Sequence, residues 1–183
     1  MSNTQIDPGA DPSTLPTLAP GAVTPLAGPA PHAEPVYFED MTVGRHFNTG
    51  SVTLDEGAMI AFAQAFDPQP MHTDPQAAAR SIFGGLIGSG WYTAALTMRL
   101  VVGGEMRPDE RGRIGLGIEL LRWPTPTRPG DVLTAVIEIL EARPSGSRPD
   151  RGIVKLRTLT YNQKREVMQE LVANVLVPRR PVE

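Results

Sequence analysis

The chain has 183 residues, 40% of them hydrophobic, enough for one ordinary folded domain with a real core. Its formal net charge of -3 gives no electrostatic reason to bind nucleic acid or an anionic membrane surface, both of which favour concentrated Lys and Arg. With no cysteine, a disulfide framework, a thiolate nucleophile and a thiolate metal site are all excluded, and the first residues, Met1-Ser2-Asn3-Thr4-Gln5-Ile6-Asp7, lack the basic patch and apolar stretch of a secretory signal, so a cytoplasmic location is the expectation.

Residues 1 to about 35 hold prolines at 8, 12, 16, 20, 25, 29, 31 and 35, mixed with Ala, Thr and Gly without periodicity. Such a segment cannot offset its ordering entropy by burial, so we expect a disordered tail over 1–35 and a single domain over 36–183. The folded part should begin at Val36-Tyr37-Phe38, with a short strand over Phe47 to Thr53. Thr53-Leu54-Asp55-Glu56 fits a capping box, in which Ser/Thr and Glu three residues apart satisfy orphan amides at a helix start. Ala58, Ile60, Phe62, Ala63 and Phe66 then form the apolar stripe of a helix that should end at Asp67-Pro68, because a residue before proline is pushed out of the α region. Asp74 before Pro75 reads as an N-cap with proline at the first helical position, opening a short helix through Ala79.

From Leu86 to Val102 the chain is almost wholly apolar, with Gly88 and Gly90 near its beginning and Arg99 inside it. The run is marginal for crossing a membrane and the arginine argues against that, so a helix buried inside the domain is expected. Four stretches rich in Val, Ile, Leu and Thr follow and read as strands: 114–123, 132–142, 153–161 and 167–177. Proline-rich, Ser/Gly/Pro/Asp-rich and Asn162-Gln163-Lys164-Arg165-Glu166 segments separate them as turns. One buried helix and sequential strands imply an α+β fold with an antiparallel sheet curled around the helix.

Three histidines make the search for an acid or base short. His32 lies in the tail, and His46 at the start of a strand is better read as structural or superficial. His72 closes Asp67-Pro68-Gln69-Pro70-Met71-His72, where two prolines stiffen the chain as it leaves a helix. A separation of five does not stack side chains on a helix, but an irregular proline loop can aim Asp67 and His72 inward together. The competing reading is that Asp67 shapes a turn and His72 is a satisfied polar residue. Phe83-Gly84-Gly85-Leu86-Ile87-Gly88-Ser89-Gly90-Trp91 leads into the apolar helix; glycines there either leave backbone N–H groups open as an oxyanion hole or simply let the helix pack closely. Met71, Phe83 and Trp91 are candidates for an acyl pocket or for plain core. Asp55, Glu56, Asp74 and Asp131 have capping or turn explanations, and the scattered histidines form no recognisable metal site.

At these residues the chain resembles the MaoC-like dehydratase and (R)-specific enoyl-CoA hydratase family, whose mark is a helix followed by Asp-x-Asn-Pro-x-His-x-Asp and then a glycine entering the hotdog helix. Asp67, Pro70, His72 and Asp74 match the pattern, and the similarity runs from about Tyr37 to Pro178, including Arg128-Pro129-Gly130-Asp131. Gln69 stands where the family usually has Asn, Phe66 where Gly is frequent, and Ser89 where His often precedes the oxyanion glycine. The resemblance implies a hotdog fold, a long helix wrapped by a curved sheet of five or six strands. It also implies a homodimer or an oligomer of dimers with active sites near the subunit boundary, an acyl-CoA thioester as substrate, and no cofactor or metal. It assigns Asp67 and His72 to one water molecule, with His72 as base and Asp67 orienting the water and exchanging the second proton, and the Gly90 N–H to the thioester carbonyl. Arg45, Arg80, Arg99 and Arg122 are candidates to meet the CoA phosphates. A hotdog thioesterase using a lone carboxylate and a non-catalytic acyl-CoA-binding module are the alternatives; fold resemblance alone does not choose between them.

Overall fold

Alternation of buried and half-buried side chains over residues 132–140 of β3 (Val132–Pro144) and all along β4 (Arg151–Tyr161) gives the chain a sheet with one face turned to the core. The structure, a computed structural model, describes residues 34–181; the expectation of a disordered tail falls almost entirely outside them. Two further strands, β1 (His46–Thr53) and β5 (Val167–Pro178), flank this pair, and β2 (Ile114–Arg122) completes a five-stranded antiparallel sheet of order β1-β3-β4-β5-β2. The register is pinned by pairs such as Val52 with Leu133, Ile137 with Thr158 and Leu156 with Ala173. A one-residue slip would turn the whole apolar face of β3 outward, which is why that register is unambiguous. The four strand stretches expected after residue 113 are all present, longer or shorter by one or two residues.

The sheet curls over the helix α4 (Gly90–Gly103), the hotdog arrangement that the sequence implies. Leu96 and Leu100 of α4 pack with Leu54, Met59, Tyr92 and Leu133, while Met41, Phe47, Met106, Ile137, Ile139 and Val154 build a second cluster toward the other end of the sheet. Each such fully buried aliphatic side chain is worth roughly 1.5–3 kcal/mol. Between β1 and α4 run three shorter helices, α1 (Glu56–Phe66), α2 (Pro70–Thr73) and α3 (Pro75–Ala79). Among the described residues no helix is long and apolar enough to cross a membrane.

Several expectations need correction. The capping box at Thr53 does not form: Thr53 is held in the sheet opposite Val132, and Asp55 is the N-cap of α1, accepting the Ala58 N–H at 2.8 Å. Strand pairing holds Thr53 in the sheet, so the helix starts two residues later. The segment before His72 is less irregular than expected, because Pro70 sits at the first position of a one-turn helix. The apolar run from Leu86 enters without regular secondary structure, and α4 begins only at Gly90, where Ser89 caps it. Nor is α4 buried all round: Trp91, Met98 and Val102 are exposed along one side. Asp74 does cap α3, accepting from both Gln76 and Ala77.

Candidate active site

Asp67 is the residue at which α1 stops. Its backbone N–H still donates to Ala63, but its own conformation is non-helical, so the carboxylate swings away from the helix axis. Five residues on, α2 presents His72, whose side chain is 5% exposed. The two elements meet at the chain segment entering α4. His72 Nδ1 lies 2.9 Å from the carbonyl oxygen of Ile87, and a carbonyl can only accept; Nδ1 therefore carries the proton and donates it. In the neutral imidazole the lone pair is then on Nε2, and Nε2 faces Asp67 Oδ2 at 3.5 Å.

Two acceptors thus face each other at a distance that suits a shared donor. Asp67 is further fixed by two hydrogen bonds: the Ser89 hydroxyl donates to Oδ2 at 2.7 Å and the Gln69 amide donates to Oδ1 at 2.7 Å. These bonds, Ser89 first and Gln69 second, outweigh partial burial and hold the Asp67 carboxyl below the usual carboxylate range. The carboxylate is the resting form at neutral pH.

Ser89 is wholly buried and ties the catalytic candidates to α4, because the hydroxyl that donates to Asp67 also accepts the Trp91 N–H at the helix start. Gly90 follows as the first helical residue, and its N–H has no carbonyl one turn earlier to donate to. It points where the helix dipole favours developing negative charge. Close packing accounts for both glycines here: a Cβ on Gly88 would come within 2.5 Å of Thr127 Oγ1, and one on Gly90 within 2.6–2.9 Å of the Trp123 indole.

The remaining candidates do not all converge. Trp91 lines an apolar groove beside α4, but Met71 and Phe83 do not. His46 is exposed on β1, paired opposite Glu138 of β3, and His32 lies outside the described residues. Of the arginines, Arg45 donates to the Asp40 carbonyl and stacks on Phe47, and Arg122 is held by Glu170; Arg80 is exposed at the end of α3. No three His, Cys, Asp or Glu side chains among the described residues gather as metal ligands would. Sequence reading noted Ser89 only as a departure from the family pattern, although a serine directly before a helix start signals a cap, and nothing in the sequence marked Trp123 as the side chain packed over Gly90.

A model of the MaoC like domain matches residues 39–161. Over 143 residues the chain is 32% identical to the uncharacterized protein YdeM of Bacillus subtilis (strain 168), covering 77% of this chain and 98% of that one. A MaoC-like dehydratase from Rhodospirillum rubrum superposes with a TM-score of 0.75 at 49% identity, over 80% of this chain and 99% of its own. The R-hydratase PhaJ1 from Pseudomonas aeruginosa superposes with a TM-score of 0.64 at 25% identity, over 80% of this chain and 88% of its own.

Proposed function

The chain belongs to the MaoC-like domain family, a family of hydratases and dehydratases, and on that premise we propose that it hydrates trans-2-enoyl-CoA to (R)-3-hydroxyacyl-CoA or runs the reverse dehydration. The observation that carries this reading is the facing of His72 Nε2 and the Asp67 carboxylate across 3.5 Å, with Nδ1 committed to the Ile87 carbonyl. One water can donate a hydrogen to each. His72 Nε2 takes the first proton as the water oxygen bonds to the β-carbon, the C=C π pair moves toward the thioester, and negative charge builds on the carbonyl oxygen. The Gly90 N–H would receive that oxygen. The proton held by the imidazolium then reaches the α-carbon by way of Asp67, which returns the pair to its starting state. A positioned acid/base group contributes ~10²–10⁴-fold and an oxyanion donor ~3–4 kcal/mol, so this site has the parts a hydration needs without a cofactor.

We assign the working unit as a homodimer. β2 is an edge strand with Ile114, Leu116 and Ile118 half exposed, and the open side of α4 adds Met98 and Val102. An apolar edge strand beside an apolar helix face is a surface that proteins cover. A second copy laying its own β2 and α4 against the same elements would be self-complementary, as a two-fold interface requires.

The test is loss of the conjugated enoyl-thioester absorbance with crotonyl-CoA and longer or branched analogues, comparing the unaltered protein with Asp67→Asn and His72→Ala. Hydration that depends on both residues is expected. Binding without turnover, or release of free CoA, would overturn the proposal in favour of a binding module or a thioesterase respectively.

A further inference from the structure

The peptide that joins Ser89 to Gly90 has two polar ends, the Ser89 carbonyl and the Gly90 N–H that would receive the thioester oxygen. The carbonyl is gripped by α4 itself: Thr93 donates to it with its backbone N–H at 3.1 Å and with its hydroxyl at 3.4 Å. A hydroxyl has one hydrogen and a carbonyl can only accept, so the Thr93 hydroxyl gives its hydrogen to Ser89. Thr127 Oγ1 lies 3.2 Å from Thr93 Oγ1 and is therefore the donor of that pair. The order of the hydrogens is fixed: Thr127 to Thr93, and Thr93 to the Ser89 carbonyl.

A helical threonine that bonds the carbonyl four residues back is common, and for Thr93 alone that local reason would suffice. Thr127 is different, because it comes from the loop between β2 and β3, 34 residues further along the chain. Ser89, Thr93 and Thr127 are 0%, 1% and 3% exposed, so bulk water does not compete for these bonds. Thr127 also holds the chain before Ser89: its carbonyl accepts the Gly88 N–H at 2.9 Å, and its hydroxyl oxygen lies 2.5 Å from where a Cβ on Gly88 would stand. Gly88 thus leaves open the space this hydroxyl takes. Bonds in such a chain polarise one another, and electron density drawn toward the peptide oxygen makes the peptide N–H a stronger donor.

We propose that Thr127 and Thr93 are positioning residues for the reaction, two hydroxyls in series that fix the Ser89–Gly90 peptide and polarise its N–H toward the thioester oxygen. The inference rests on the hydratase reading, with Gly90 as the donor to that oxygen. Each threonine acts through the peptide, not on the substrate. Their contribution grows as negative charge builds on the oxygen, so it falls on kcat and not on KM. An oxyanion donor contributes about 10²–10³-fold and cooperative strengthening adds about 10–30% to a bond, which makes the outer hydroxyl worth about two- to eightfold in kcat.

The experiment measures kcat and KM on crotonyl-CoA together with the carbonyl ¹³C resonance of bound [1-¹³C]butyryl-CoA, a saturated thioester that cannot be hydrated. Thr127→Val should lower kcat by that factor, leave KM within about twofold, and move the carbonyl resonance toward its position in free butyryl-CoA. Thr93→Val, which removes the hydroxyl bonded directly to the peptide, should do both more strongly, and Thr127→Ser, which keeps the hydroxyl, should restore both. Thr127→Ala replaces Thr127→Val if the added methyl does not fit beside Gly88. An unchanged kcat and resonance in folded variants, a fall in kcat that Thr127→Ser does not restore, or a change in KM alone would overturn the relay. Absence of turnover on every enoyl thioester would remove the hydratase reading. A carbonyl resonance that still depends on the two threonines would then keep the relay; one that does not, or no binding of butyryl-CoA, would overturn it as well.

Discussion

His72 Nε2 and Asp67 Oδ2 face each other at 3.5 Å, while His72 Nδ1 donates to the Ile87 carbonyl. If both groups serve one water, losing either removes most of the catalysis and losing the second adds little. Asp67→Asn and His72→Ala should each lower hydration by ~10²–10⁴-fold, and the double variant should be no worse than about tenfold below the weaker single. Thermal unfolding separates this from misfolding: His72→Ala should cost about 1–2 kcal/mol, because the Ile87 carbonyl loses its donor, and Asp67→Asn less.

The Ser89 hydroxyl is the largest cause of the lowered Asp67 pKa. A carboxyl depressed in the folded state stabilises the fold above its unfolded pKa, and that contribution is lost as pH falls through the lowered value. Ser89→Ala should therefore move the Asp67 titration up toward the ordinary carboxylate range, read from the side-chain carboxyl ¹³C shift. Gln69→Ala should do the same to a smaller extent. A midpoint that stays put after loss of the serine would mean that the hydroxyl does not stabilise the charge.

Gly90→Ala places a methyl group against the Trp123 ring, with separations that real Cβ atoms do not sustain. Overpacking of this kind costs ~1–3 kcal/mol, although alanine is otherwise the better helix residue. Denaturant unfolding should show the loss in the single variant and its relief in the Gly90→Ala, Trp123→Ala pair. An equal cost in both backgrounds would show that the indole is not the obstacle.

Leu116 is exposed on the edge strand β2 and outside the groove beside α4. Leu116→Lys should leave the fold of one chain intact and shift the protein toward monomer in sedimentation at micromolar concentration, with hydration falling in step. A monomeric unaltered protein would contradict the proposed dimer.

Much of this was legible in the sequence, for reasons that can be named. The strands announced themselves because β-branched runs are bounded by Pro, Gly and Asn, and the turn from Asn162 to Glu166 closes as expected even though Arg165, not glycine, takes the positive φ of 63°. Asp67 and His72 stood out through the resemblance carried by Asp67, Pro70, His72 and Asp74, since their spacing alone left a purely structural reading open. What stayed hidden depends on contacts between distant parts of the chain. Thr53 looked like a cap until strand pairing with Val132 removed it, and α4 looked longer because apolar composition does not distinguish a buried irregular segment from a helix. Trp123 and Gln169 are 46 residues apart, and only the pairing of β2 with β5 brings them together over Gly90.

The central claim is that this site adds water to an enoyl thioester and leaves the thioester intact. Mass analysis of the product formed from crotonyl-CoA tests it most directly. The account predicts a CoA thioester heavier by one water, formed by the unaltered protein and almost absent with Asp67→Asn or His72→Ala. Free CoA with crotonate, or unchanged crotonyl-CoA bound to a folded protein, would contradict it.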